Sequence, residues 1–349
     1  MNLLAIESSC DETSAAVVQM EDSGKEAAPL RKILSNKIAS QAETHALYGG
    51  VVPEIASRAH TEAISSLTYE ALAGASLKIS DIDAVCVTAS PGLIGALLVG
   101  VNFAKALAYA NSLPLVPVNH IRGHIAASYL AYPELRPPFL ALVASGGHTS
   151  LIRVETYTSL ETIGQTRDDA IGEAFDKAAR VMGIPYPGGA ALDRLASEGR
   201  PDALRFPSAA IADGTLDFSF SGVKTAVINY IHKLTQTGEA CDIRDVAASL
   251  TDCMVRSVKK KLGAALDQTG MRAFTLTGGV AANSHLRRAL EAFCAERGVR
   301  CYIPPISLCG DNAAMIGAQG YYELLAGVRG DSSLDASATA RTFLLRTND

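Results

Sequence analysis

The chain has 349 residues, of which 48% are hydrophobic and 19% charged. That apolar content is enough for two sizeable cores and excludes a disordered or low-complexity chain. A net charge of −5 argues against a stand-alone nucleic-acid binder, because such proteins are usually basic.

The N-terminus, Met1 to Glu7, carries no basic leader, so a cytoplasmic location is expected. Leu3-Leu-Ala-Ile-Glu7, Ser8-Ser-Cys-Asp-Glu-Thr-Ser14 and Ala15-Ala-Val-Val18 read as a strand, a tight polar turn and a returning strand. Helical patterns and one apolar strand, Ala84-Val-Cys-Val-Thr88, follow. The long apolar stretch Ala84 to Val101 is broken by Ser90-Pro91-Gly92, so it reads as strand, turn and helix rather than a membrane span. The helix expected over Gly95 to Ala110 is apolar nearly all round and should be buried.

The opening shape returns at Phe139-Leu-Ala-Leu-Val-Ala144, Ser145-Gly-Gly-His-Thr149 and Ser150-Leu-Ile-Arg-Val154. Thr13-Ser14 aligns with Thr149-Ser150, and Ser9 aligns with Ser145. Such a duplication suggests two related α/β lobes. Beyond it lie Pro185-Tyr-Pro-Gly-Gly189, a helix expected over Ala190 to Ser197, and Phe218-Ser-Phe-Ser-Gly222. A strand Ala273-Phe-Thr-Leu-Thr277 then meets Gly278-Gly279, with a helix from about Asn283. Cys301-Tyr-Ile-Pro304 leads to a last helix, about Asp311 to Leu325, and the end of the chain, Arg346 to Asp349, is expected to fray. Strands alternating with helices mark an α/β protein.

Seven cysteines, at 10, 86, 241, 253, 294, 301 and 309, form no Cys-x-x-Cys pair. Their odd number and spacing point to free thiols rather than a disulfide framework or a thiolate zinc site. The histidines are more telling. In His120-Ile-Arg-Gly-His124 the two imidazoles stand one helical turn apart, a spacing that suits one metal ion. The competing reading is a pair of core or solvated histidines. A third ligand is required, and Asp311 in Cys309-Gly-Asp-Asn312 sits where a loop enters a helix, a place where Asp also serves as an N-cap. Two histidines and one carboxylate suit Fe(II) or Zn(II). A metalloprotease helix would carry Glu after the first His, and here that residue is Ile121.

The glycine pairs Gly146-Gly147, Gly188-Gly189 and Gly278-Gly279 let backbone N–H groups approach phosphate oxygens, although each alone fits a plain turn. Neither a P-loop nor a Gly-x-Gly-x-x-Gly fingerprint is present. Asp11 and Glu12 in the first turn, Asp176 in Glu173-Ala-Phe-Asp-Lys177, and Asp193 could orient a metal, a ribose or an amine, or could be solvated acids. The basic clusters Lys259-Lys260-Lys261 and Arg287-Arg288 read equally well as solvated helix faces.

Taken together these stretches resemble the TsaD family. The resemblance is carried by Ile6-Glu-Ser-Ser-Cys-Asp-Glu-Thr13, Val118 to His124, Ser145 to Thr149, Gly172 to Lys177 and Tyr186 to Gly189. Phe218 to Lys224, Gly278 to Asn283 and Asp311 to Met315 extend it. It implies an actin-like ATPase (ASKHA) fold with two duplicated lobes around a nucleotide cleft. Lobe I would span 1–135, with a C-terminal helix of about 312–349 packing back on it, and lobe II would span 136–311. The implied activity is transfer of threonylcarbamoyl from threonylcarbamoyl-adenylate to N6 of the tRNA adenosine 3′ to the anticodon, with release of AMP. By motif, His120, His124 and Asp311 would bind one Fe²⁺ or Zn²⁺, with Mg²⁺ a further candidate ion. Val143, Ala144, Ser145, Gly146, Gly147, Asp176, Gly189, Asp193 and Asn283 would hold the adenine nucleotide, and Glu12 or Asp11 would serve catalysis. The implied partners are tRNA, a TsaB-like pseudo-enzyme and a TsaE-like ATPase, with a TsaC-like enzyme supplying the adenylate and no membrane involved. A sugar-kinase-like or chaperone-like ATPase of the same fold, and a non-catalytic scaffold, are the alternatives.

Overall fold

A computed structural model describes residues 1–22, 29–240 and 242–339. Cys241 and the segment Arg346 to Asp349 lie outside the described residues. The chain divides into two compact units, residues 1–136 with the stretch that starts at Gly310, and residues 137–309.

The first unit is built on a sheet of β1 (Asn2–Glu7), β2 (Glu12–Glu21), β3 (Leu30–Ser40), β4 (Ala84–Ser90) and β5 (Leu115–Asn119), in the order β3-β2-β1-β4-β5. The β1–β2 hairpin is antiparallel from Asn2↔Gln19 to Glu7↔Ser14, while β1 and β4 run parallel. Every residue of β4 is buried, as expected for a strand covered on both faces. The helices are α1 (Ala42–Ala46), α2 (Pro53–Gly74), α3 (Ile94–Ala110) and α4 (His120–Ala131), joined from the far end of the chain by α10 (Ala313–Leu325). Residues Ala313 to Leu324 of α10 are all buried, and the helix lies on β1, β2 and α4.

The second unit repeats the plan with β6 (Phe139–Ala144), β7 (Thr149–Val154), β8 (Leu160–Gln165), β9 (Ala273–Thr277) and β10 (Arg300–Tyr302). Its order, β10-β9-β6-β7-β8, is the first sheet read from the other end. Again a central hairpin is antiparallel and the next two strands are parallel. Its helices are α5 (Ile171–Val181), α6 (Gly189–Glu198), α7 (Ser221–Thr237), α8 (Ile243–Thr269) and α9 (Ser284–Glu296). One hydrophobic core joins strand residues such as Leu140 and Phe274 to α5, α7 and α8 through Phe175, Val223 and Val258.

Several expectations need correcting. The returning strand starts at Glu12, not Ala15, because the first turn is only four residues long. Strands β3, β5 and β8 were not read from the sequence. β3 and β8 are sheet edges with mixed exposure, and β5 is short and contains Pro117. Helix α3 is not buried all round. Its packed face meets α2 and β4, while Ile94 is 47% and Tyr109 89% exposed, and Thr61, Ser65, Leu98, Val99, Asn102 and Phe103 line a groove. The C-terminal helix ends at Leu325, where Gly327 at φ 86° turns the chain out of helical geometry. Among the described residues, no helix is long and apolar enough to cross a membrane.

Candidate metal centre and nucleotide-binding turns

Strand β5 runs directly into α4, and Asn119 caps the helix by accepting from the backbone N–H groups of Ile121 and Arg122. His120 is therefore the first helical residue and His124 lies one turn later, with ring centroids 4.6 Å apart. Asp311 precedes α10, whose cap is Asn312 accepting from Met315 N–H. Its Oδ1 lies 3.2 Å from His124 Nε2 and 3.6 Å from His120 Nε2. One ligand atom from each of the three residues falls within 4.8 Å of the others.

The approach depends on Gly123, where a Cβ would lie 2.6 Å from Ile316 Cδ1. That absence lets α4 and α10 pack closely enough to bring the histidines to the carboxylate. His124 is fully buried, its Nδ1 makes no hydrogen bond, and its Nε2 has the Asp311 carboxylate 3.2 Å away without hydrogen-bond geometry. A buried imidazole nitrogen so placed is costly, and a cation shared with His120 and Asp311 would satisfy Nε2. The residues present thus fit a divalent ion, although its identity does not follow from them.

Sequence reasoning missed Glu7. This last residue of β1 is 0% exposed, and its carboxylate accepts from Ser9 N–H at 2.5 Å and Thr88 Oγ1–H at 2.6 Å. It also lies 3.0 Å from His120 Nδ1. Burial would raise the Glu7 pKa, but His120 and these hydrogen bonds hold it below the ordinary carboxylate value. For His120 burial disfavours the charge, and the carboxylates of Asp311 and Glu7 outweigh it, pushing its pKa up to about 9. The only signal in the sequence was an acid closing an apolar strand.

Asp11 and Glu12 stand at the same turn. Glu12 opens β2 and accepts from Ser40 Oγ–H, while the Asp11 carbonyl accepts from Gln41 N–H. Burial, Asp311 and Asp11 push the Glu12 carboxyl up to about 9.

In the second unit, β6 ends at Ala144 and the turn Ser145–His148 is closed by Ser145 N–H donating to His148 O. Gly146 and Gly147 are exposed, and a Cβ on either would meet nothing. The start of α5 is tied to this turn, with Gly172 N–H on Ser145 O and Ile171 N–H on Thr149 Oγ1. Asp176 on α5 accepts from Gly188 N–H at the start of α6. Asp193 on α6 accepts from Ser284 N–H at the start of α9 and lies 2.8 Å from His285 Nδ1. Asn283 caps α9 by accepting from Leu286 N–H. Three helix starts are thus linked in series to one glycine turn. These bonds occupy N–H groups of the α5 and α9 starts, so of the three it is the α6 start whose N–H groups and positive potential favour a phosphate. Asp176, Asp193 and Asn283 also have structural hydrogen bonds of their own, and His285 is a neighbour that the sequence did not announce.

Two sheets of one repeated strand order, each flanked by helices, define an α/β protein of the actin-like ATPase (ASKHA) fold. HypF of T. kodakarensis shares it, with a TM-score of 0.62 at 14% identity, covering 93% of this chain and 48% of that one. The profile of TsaD, tRNA N6-adenosine threonylcarbamoyltransferase, matches residues 32–318. A protein of that name from Clostridium botulinum strain 657 is 50% identical over 338 residues, covering 97% of this chain and 96% of its own. One from Moorella thermoacetica is 52% identical over 324 residues, covering 93% and 92%. The chain belongs to the TsaD family, whose members are transferases that modify tRNA.

Proposed function

We propose that this chain transfers the threonylcarbamoyl group of L-threonylcarbamoyladenylate to N6 of the adenosine 3′ to the anticodon in tRNAs that read codons beginning with A. The bond from the adenine nitrogen to the carbamoyl carbon forms, the bond from that carbon to the phosphate oxygen breaks, and AMP leaves. The observation that carries the reading is the convergence of His120, His124 and Asp311 around the unsatisfied, buried His124.

His120, His124 and Asp311 would hold one Fe²⁺ or Zn²⁺, which when bound supplies Lewis acidity toward the carbamoyl oxygen. The chain's own groups do the rest. The N–H groups of Gly146 and Gly147 and of the α6 start would hold the phosphate and stabilise the charge it gains on leaving. Asp176, Asp193 and Asn283 would orient ribose and adenine. The exocyclic amine of adenine is a weak nucleophile because its lone pair is delocalised, so the target base must be unstacked and held in place. Glu12 and Asp11 would accept the proton that N6 loses, and a cation at the trio would draw the raised Glu12 pKa down into the range of a base.

The net charge of −5 leaves part of the tRNA surface to be gripped by partners, a TsaB-like pseudo-enzyme and a TsaE-like ATPase, with the adenylate made by a TsaC-like enzyme in the cytoplasm. The open side of α3 offers such a partner an apolar surface. The test is reconstitution with unmodified tRNA, followed by nucleoside mass spectrometry and nucleotide analysis. N6-threonylcarbamoyladenosine and AMP in equal amounts support the reading, and ADP formation by this chain without the partner ATPase, together with no modified tRNA in the full system, overturns it in favour of a phosphoryl-transfer ATPase.

A further inference from the structure

We propose that Glu7 is a positioning residue for His120, fixing which ring nitrogen is offered toward Asp311 and thereby setting the affinity of the metal centre. The inference rests on the reading of His120, His124 and Asp311 as metal ligands.

Leu3, Leu4, Ala5 and Ile6 of β1 are fully buried, and so is Glu7. An apolar residue would close such a strand at less cost, since burying a carboxylate is expensive unless its oxygens are satisfied. They are satisfied by donors from three places in the chain. Ser9 N–H reaches Oε1, and Thr88 Oγ1–H on β4 reaches Oε2. The third is His120 Nδ1, 3.0 Å from Oε2.

An ionised carboxylate accepts and does not donate, so Nδ1 of His120 must carry the hydrogen. In the neutral ring the lone pair then sits on Nε2, the atom that faces Asp311 Oδ1 at 3.6 Å. Ser9 Oγ, 3.1 Å from the same Nδ1, further restrains the ring. His124 has no such support, because its Nδ1 makes no hydrogen bond. Of the two histidines, only His120 has a carboxylate at Nδ1, on the side of the ring away from Asp311. Outer-shell partners of this kind typically contribute about 10–100-fold to metal affinity.

The test uses the full chain and Co²⁺ as the probe, read by its visible absorption. Glu7→Gln removes the charge and brings an NH₂ group that competes for the same partners. It should weaken Co²⁺ binding by about 10–100-fold. In the chain without added metal, at a pH above about 9 where the His120 ring is neutral, ¹⁵N spectra of labelled histidine should show His120 shifting from one tautomer to a mixture. Thr88→Val, which removes only the donor to Glu7, should shift both readouts in the same direction by less. A purely structural Glu7 would lower the melting temperature while leaving Co²⁺ affinity and the His120 tautomer as in the parent, and that result overturns the proposal. Should Glu7→Gln fail to fold, Thr88→Val decides by the same two readouts. His120→Ala separates the levels. If it leaves Co²⁺ binding intact, the metal reading itself falls. If it abolishes binding while Glu7→Gln binds normally, only the role of Glu7 falls.

Discussion

Gly123 on α4 and Ile316 on α10 are packed so closely that a Cβ on the glycine would lie 2.6 Å from the isoleucine Cδ1. This contact sets the distance between the helix that carries the two histidines and the segment that carries Asp311. Gly123→Ala should overpack the contact and cost about 1–3 kcal/mol, with metal content reduced as α4 is displaced. Adding Ile316→Val removes the clashing methyl and should recover most of both losses. Thermal melting and metal analysis of the single and double variants check this, and a double variant no better than the single would show that the contact is not the cause.

The isolated chain should bind tRNA weakly and with a shallow salt dependence. Phosphate neutralisation dominates most nucleic-acid affinity, and this chain has 31 basic against 36 acidic side chains. Filter binding across a salt series, with and without the partner proteins, measures it. Tight and steeply salt-sensitive binding by the chain alone would contradict the expectation.

How much could be read beforehand differs from element to element. The central hairpins were legible because both strands of each are buried apolar runs around a polar turn, and the repeat of Thr-Ser gave the duplication away. The edge strands β3 and β8 were not, because an edge strand is half exposed and its pattern blurs into a loop or helix. His120 and His124 were legible because their spacing is local to one helix. Glu7 was not, because its partners Thr88 and His120 are supplied by β4 and α4, far along the chain. The acids of the second unit were legible as candidates. That Asp193 is already paired with His285 is a fact of the fold alone.

That pairing gives a pH expectation. Burial pulls the Asp193 carboxyl up, and the hydrogen bonds from His285 and Ser284 outweigh it, so its folded pKa lies below 3.8. A depressed folded pKa contributes stability above the unfolded value, and that stability is lost as pH falls through the folded one. The contribution of Asp193 is therefore present at neutral pH and disappears only in acid, below about pH 4. Asp193→Asn should melt lower than the parent at pH 7, and the difference should shrink as the pH is taken below that value. Melting curves of both proteins over an acid series check it. A gap that stays constant with pH would mean that Asn loses packing rather than charge.

Gly189 offers the sharpest test of the nucleotide reading. It opens α6, where backbone N–H groups are unpaired and a phosphate can dock. A bulky residue there would block such an approach. It would add no backbone strain, because Gly189 does not have positive φ and a Cβ placed on it meets nothing within 4 Å. Gly189→Val should therefore fold with a near-parental melt, with no propensity cost, because glycine is the poorer helix former. Nucleotide affinity should nevertheless fall by about tenfold or more, since the isopropyl group would stand where the phosphate needs the backbone; tenfold corresponds to about 1.4 kcal/mol. Measuring melting temperature and adenine-nucleotide affinity on the same preparation separates the two roles. Lost affinity at a near-parental melt means that the glycine is kept for ligand approach. Retained affinity means that the phosphate sits elsewhere, and the α6 start is then only the end of a turn.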